Sequence, residues 1–154
     1  MKRSILAVVG LWLILASVNG YSQNLITFDL NHKDPVSVVG AIFYAAKTGD
    51  LAILNCLCDP LRENDGDTKG ICELSKLASE ETRDVEREEA QDIFAEFSNY
   101  FRGGKITGEV QIKLEEGQSK AEVPFWFNHP GGESRSNETM VLVKRYGNWY
   151  LLSF

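Results

Sequence analysis

Three cysteines are the residues of this 154-residue chain best suited to covalent chemistry. Cys56 and Cys58 stand two positions apart on a predicted helix, where side chains at that spacing point to different faces and cannot easily bridge. Cys72 follows beyond a polar stretch and can reach either of them. Cys58 is the favoured partner because it lies at the helix end nearest the connecting loop. We therefore predict a Cys58–Cys72 disulfide, with three unbridged thiols as the alternative.

Metal binding is the other chemistry that these residues could support. A structural zinc site needs four ligands, and neither His32 nor His129 stands at ligand spacing from the cysteines. The acidic stretch Arg62–Gly70 resembles a calcium loop only in composition, because Gly66 precedes Asp67 and so has the wrong register. The sequence predicts no metal and no cofactor, and it predicts a solvated turn over this stretch.

The elements that hold the cysteines are two short helices between Asp34 and Pro60. Asp34 suits the N-cap position and Pro35 the first turn, where a missing N–H group costs nothing. Gly49 suits the left-handed residue that ends a helix, and Asp50 can cap the next one. The apolar face of the first helix is built from Val36, Val39, Ile42, Phe43 and Ala46.

Two further helices are predicted before the pattern changes. Ile71–Leu77 adds one or two turns, and a long helix capped by Ser79 runs to Gly103-Gly104. Charges of both signs fill its first half, which is typical of a solvated face. Its second half anchors it through Ile93, Phe94, Phe97 and Phe101.

From Lys105 onward the apolar residues alternate, which predicts a four-stranded antiparallel sheet. The first strand places Ile106, Val110, Ile112 and Leu114 on its apolar face. Pro124 in the second strand cannot donate to a ladder and predicts a bulge or an unpaired stretch. The third and fourth strands, 138–145 and 149–154, pair through Tyr146-Gly147-Asn148. Helices followed by strands predict an α+β fold, with the N-terminal helices packed on one face of the sheet.

The first 23 residues have the features of a signal peptide. Lys2 and Arg3 precede an apolar run over residues 5–18, and small residues follow. A run of this length is short for a membrane span, although a retained anchor is the alternative. We expect cleavage before a residue between Tyr21 and Asn24, an extended segment over residues 24–33, and one domain over residues 34–154. The predicted location is periplasmic or extracellular.

The charge of the chain excludes one class of partner. Its net charge is −6, and removing Lys2 and Arg3 makes it −8. A surface of this sign repels phosphate backbones. We expect no nucleic acid among the partners and no membrane span in the mature chain.

Several stretches resemble the nuclear-transport-factor-two-like superfamily, also called cystatin-like α+β, in its small exported bacterial branch of lumazine-binding-like domains. The matching stretches are Asp34-Pro35, Ala45–Leu51, Lys120–Val123 and Leu142–Trp149. The resemblance covers residues 34–154 and implies a cone, in which a curved sheet wraps around the helices. It also implies a cavity that relatives use for small ligands or for catalysis.

Enzymes among these relatives resemble ketosteroid isomerases and polyketide cyclases, with a tyrosine on the first helix and a carboxylate soon after the second. Alignment on Gly49-Asp50 places that tyrosine at Ile42, two positions from Tyr44. A helix rotates about 100° per residue, so Tyr44 faces elsewhere. The enzymatic alternative uses Tyr44 with Asp92 or Glu109 as the carboxylate.

The favoured hypothesis is an exported, non-catalytic domain that binds a small apolar ligand or a protein segment in the cone. The alternative is a small isomerase- or cyclase-like enzyme that uses the same cavity. The aromatic residues expected to line the cone are Phe43, Tyr44, Phe94, Phe97, Phe125 and Phe127, and the same rings could instead fill the core.

A homodimer is also predicted, through the outer face of the sheet. Trp126 points away from its apolar neighbours on the second strand, and Val141 and Val143 continue that face on the third. An apolar patch on a sheet surface typically marks an interface. The alternative is that residues 25–30 fold back over the patch and leave a monomer.

Overall fold

The computed structural model describes residues 28–77, 84–128 and 135–154, over which four helices precede a five-stranded antiparallel sheet. The elements are α1 Pro35–Thr48, α2 Ala52–Leu57, α3 Gly66–Leu77, α4 Asp84–Phe101, β1 Lys105–Ile106, β2 Gln111–Glu115, β3 Gln118–Asn128, β4 Arg135–Arg145 and β5 Asn148–Ser153. The predicted α+β class is confirmed. The predicted signal peptide, the Ser79 cap and His129 lie outside the described residues.

Helix α1 has the ends that the sequence predicts. The Asp34 side chain accepts a hydrogen bond from the Val36 backbone N–H at 2.9 Å, and Pro35 occupies the first turn. Gly49 has φ 82° and donates its N–H to the Ala45 carbonyl at 2.8 Å. Glycine reaches this left-handed conformation without steric cost, which is why the helix ends here.

Helix α2 begins later than predicted and without the predicted cap. It starts at Ala52, and the preceding Leu51 makes no side-chain capping bond. The Asp50 backbone N–H bonds instead to the Thr48 hydroxyl at 3.3 Å. The Thr48 hydroxyl therefore stabilises the bend at Gly49, and the Asp50 side chain does not cap α2.

Helix α3 begins five residues before the predicted start, inside the stretch predicted to be a turn. The Asp65 carboxylate accepts the Thr68 backbone N–H at 3.2 Å, and the Asp65 carbonyl accepts the Lys69 N–H at 2.8 Å. The Thr68 hydroxyl donates to the Leu152 carbonyl of β5 at 2.8 Å. These bonds hold a polar first turn that apolar periodicity does not reveal.

Pro124 explains why the predicted first strand is two strands. Ile106 of β1 pairs with Phe125, whereas Gln111 of β2 pairs with Glu122. Between these two pairs, the segment that joins β1 to β2 is two residues longer than the matching part of β3. The Thr107 N–H bonds to the Pro124 carbonyl at 2.9 Å, but proline has no N–H to return. The predicted interruption at Pro124 is confirmed, and it raises the strand count from four to five.

The hydrophobic core lies between the helices and the concave face of the sheet. Its members include Val38, Val39, Ile42, Leu54, Leu57, Phe97, Phe101, Val123, Phe125, Met140, Leu142, Trp149 and Leu151. Burial of side chains of this size contributes about 1.5–3 kcal/mol each before entropy is counted. Helices pack on β1, β3 and β5, and the sheet extends past them at β2.

Candidate functional site

Phenylalanine rings fill the part of the cone between α4 and the sheet. The Phe101 ring centroid lies 6.4 Å from that of Phe125, 5.7 Å from that of Phe127 and 5.9 Å from that of Phe154. Phe43 of α1 joins the cluster at 6.1 Å from Phe125. Rings at these separations are in contact, so side chains occupy the space between them.

Four of the six predicted lining residues belong to this cluster: Phe43, Phe97, Phe125 and Phe127. The other two lie elsewhere. Phe94 packs beside Gly49, and the Tyr44 ring contacts Phe28 with ring centroids 5.2 Å apart and planes tilted by 36°. Phe28 itself packs beside Gly40 of α1, so the extended segment before α1 lies along that helix from this residue onward.

Phe101 and Phe154 join the ring cluster, but the predicted lining set omits them. A signal for Phe101 was present, because it lies four residues after Phe97 on the same helical face. Alternation instead places Phe154 on the face opposite the buried Leu151, and the register shift between β4 and β5 at Val141 and Leu142 alters that alternation. The enzymatic alternative gains no support from its carboxylates, because Asp92 and Glu109 are solvent-exposed. A general base of this kind needs a sheltered carboxylate with a raised pKa.

The predicted disulfide is present. Cys58, at the end of α2, bonds Cys72 of α3 with Cα atoms 5.8 Å apart. Cys56 is exposed and carries no disulfide. No group of three or more metal-binding side chains occurs among the described residues.

A cleft of about 640 Å³ lies beside this disulfide. Its lining includes Arg62, Lys69, Glu73 and Lys76 along with the two bridged cysteines. The volume is that of a small-molecule site, but such sites are lined mostly by apolar and aromatic side chains. This lining carries charges of both signs, and it does not define a ligand.

The predicted dimer face is partly covered within the chain. Val143 is fully buried, Val141 and Trp126 are half-buried, and the Lys105 ammonium lies 5.9 Å from the centre of the Trp126 ring. Lys105 pairs directly with Trp126 across β1 and β3. The outer face near Trp126 therefore offers less apolar surface than the alternation of the strands predicts.

β5 lies at one edge of the sheet, and other segments cover it. The His32 carbonyl accepts the Trp149 N–H at 2.8 Å, and the His32 ring nitrogen Nδ1 lies 3.1 Å from the Trp149 carbonyl. Farther along, the Asn64 amide donates to the Leu151 carbonyl at 2.7 Å, next to the Thr68 contact at the start of α3. Native proteins cover edge strands in this way because unpaired edges associate with other chains.

β2 lies at the opposite edge, and no other described strand pairs with it there. All five of its residues are exposed. Ile112 and Leu114 were predicted to face the core, and their cross-strand neighbours Ala121 and Ser119 confirm that they lie on the concave side. Their side chains are nevertheless 64% and 75% exposed, because the helices do not extend over this end of the sheet.

The backbone of β2 presents its outward hydrogen-bonding groups at the same two residues. A two-residue loop, Glu116-Gly117, joins β2 to β3 with φ 52° and 78°, as in a type I′ hairpin. In such a hairpin the Glu115–Gln118 pair beside the loop is hydrogen-bonded, and so is every second pair along the two strands. Ile112 and Leu114 lie in the pairs between, so their N–H and C=O groups point away from β3. Ile112 and Leu114 therefore have both an exposed apolar side chain and backbone groups that point away from the sheet.

Over the described residues, the chain is an α+β domain in which one sheet edge, β5, is covered and the other, β2, is not. No protein-family model, curated protein or solved structure matches the sequence. No helix among the described residues is long and apolar enough to cross a membrane. The relation to the nuclear-transport-factor-two-like superfamily stays a prediction that rests on the quoted residues.

Proposed function

We propose that this chain is an exported, non-catalytic binding domain that takes an extended protein segment as an added strand at β2. The observation that carries the proposal is the exposure of Ile112 and Leu114 on a sheet edge that no described segment covers. Strand addition gains affinity from backbone hydrogen bonds and selectivity from alternate side chains. Both sources are present at these two residues.

Between the two ligand classes predicted for the cone, the ring cluster favours the protein segment. A small apolar ligand would have to displace rings that already contact one another, Phe154 among them. A segment added at β2 displaces nothing in the described part of the chain. It also covers apolar surface that now faces water.

A fluorescent octapeptide that alternates valine with lysine and glutamate tests the proposal. Its anisotropy should rise on titration with the wild-type protein. Leu114→Pro should abolish the rise, since it removes an outward N–H while leaving the hydrogen bonds to β3 in place.

Leu61→Glu is the matched control, because Leu61 is an exposed apolar residue (51%) away from the sheet edge. This variant should bind the peptide as the wild type does. Equal binding by Leu114→Pro and the wild type, or no binding by a wild-type protein that is monomeric, would overturn the proposal.

A further inference from the structure

We propose that the segment added at β2 is β2 of a second copy of this chain, paired antiparallel about a two-fold axis. This inference rests on the proposed function and names its partner. When two identical strands pair antiparallel, one residue lies opposite the same residue of the second copy. Ile112, Lys113 and Leu114 are the interior residues of β2, about which at least three residues of each strand can pair. The charges of β2 and its flanks distinguish the three arrangements.

Two of the three arrangements oppose like charges. With Lys113 at the centre, its ammonium group faces the same group of the second copy. With Ile112 at the centre, Glu115 faces the second copy's Glu109. Like charges directly opposite each other destabilise a strand pair.

With Leu114 at the centre, Lys113 of each copy faces Glu115 of the other. These two positions are the non-hydrogen-bonded pairs between the copies, in which opposite side chains come closest. The outward N–H and C=O groups of Leu114 then bond their counterparts in the second copy. The two Leu114 side chains meet on the concave face, next to Ile112. Their contact covers the apolar surface that Ile112 and Leu114 expose in a single copy.

Ion pairs already present within one copy extend this arrangement. The Lys113 ammonium lies 2.7 Å from a Glu122 oxygen, and the Lys120 ammonium lies 3.0 Å from a Glu115 oxygen. Association in this register joins them into a row in which Glu122, Lys113, the second copy's Glu115 and its Lys120 alternate in sign. Such networks contribute more than isolated surface pairs.

Sedimentation equilibrium on the full mature chain should show a concentration-dependent dimer. Lys113→Glu alone and Glu115→Lys alone should each weaken the dimer on the order of tenfold, since each replaces two attractive pairs by two repulsive ones. An equimolar mixture of the two variants should form a heterodimer, because every opposed pair is then of opposite sign. Native mass spectrometry distinguishes the heterodimer by mass.

Leu61→Glu should dimerise as the wild type does, and circular dichroism should show that both charge variants remain folded. A wild-type monomer at millimolar concentration, or a mixture with no excess of heterodimer over either homodimer, would overturn the second copy as partner. A monomer that still binds the alternating peptide through Leu114 would leave the proposed function standing. A protein that neither dimerises nor binds the peptide would overturn both.

Discussion

Arg145 ties the end of β4 to the loop that follows α2, with only 8% of its side chain exposed. Its Nε and Nη2 atoms donate to the two Asp59 oxygens at 3.3 and 3.2 Å, and Nη2 also pairs with Glu63. The hydrogen bonds to Asp59 raise the pKa of Arg145 above its ordinary value. The guanidinium is therefore charged at every pH at which the protein is handled.

Removing one member of this pair should cost more than removing both. Arg145→Met leaves the buried Asp59 carboxylate without its main partner, and we expect a loss of about 3–5 kcal/mol in the free energy of unfolding. Arg145→Met with Asp59→Leu should lose clearly less. Urea denaturation of the single and double variants measures both values, and equal losses would contradict the argument.

Tyr100 offers a second prediction at this scale. Its hydroxyl donates to a Glu96 oxygen at 2.7 Å, and this bond raises the pKa of Tyr100 because the carboxylate disfavours the phenolate. Glu96→Gln should bring the pKa of Tyr100 down towards its ordinary value. NMR titration of the tyrosine rings would show this, and Glu116→Gln, in the exposed hairpin loop, should leave the pKa of Tyr100 unchanged.

Among the elements, α2 and α3 are joined by the Cys58–Cys72 bond across a sequence separation of 14 residues. A closed loop of this size is worth about 3 kcal/mol in the chain-entropy description. Replacing both cysteines by alanine should lower the free energy of unfolding by this amount, whereas Cys56→Ala should change it little. The native protein should also react with one equivalent of an alkylating reagent, at Cys56, and three equivalents would contradict the bridge.

The connection between α4 and β1 depends on a glycine that leaves room for a ring. A Cβ atom at Gly104 would lie 2.5 Å from two atoms of the Phe43 ring. Gly104→Ala should therefore destabilise the protein by about 1–3 kcal/mol. Gly70→Ala, inside α3 with no atom within 4 Å of the new methyl group, should stabilise it by about 0.5–1 kcal/mol. Thermal unfolding of the two variants should shift in opposite directions.

The sequence predicts those elements whose ends are marked by local chemistry. Asp34, Pro35 and Gly49 delimit α1 because each satisfies or accommodates a specific backbone group. The start of α3 is not predicted because Asp65 opens a polar turn, and the contact of the Thr68 hydroxyl with Leu152 of β5 is a long-range one. Pro124 signalled an interruption correctly, but the register shift that it produces depends on the neighbouring strand.

At the scale of the whole molecule, strand alternation predicted which face Ile112 and Leu114 occupy but not that they would be exposed. Alternation reports the side of a sheet on which a residue lies, whereas burial depends on how far the helices extend across it. The same limit applies to Val143, which is buried outside the main core cluster although its face was expected to be open. The candidate site is therefore visible only in the assembled fold.

The predicted signal peptide determines where the mature protein begins. The protein recovered from the medium or the periplasm should begin between Tyr21 and Asn24, because the small residues of the cleavage region end there. N-terminal sequencing of the exported material measures this directly. Material that still began at Met1 would show a retained segment instead, and the predicted compartment would then lose its main support.

The cover over β5 limits how large an assembly can grow. A sheet with two open edges can add copies without end, which is how strand pairing leads to filaments. Here His32 and Asn64 occupy backbone groups of β5, so in the described part of the chain a molecule paired through β2 has no second open edge. Edge pairing through β2 as proposed would therefore stop at two copies, with the segments before α1 and α3 preventing addition at β5.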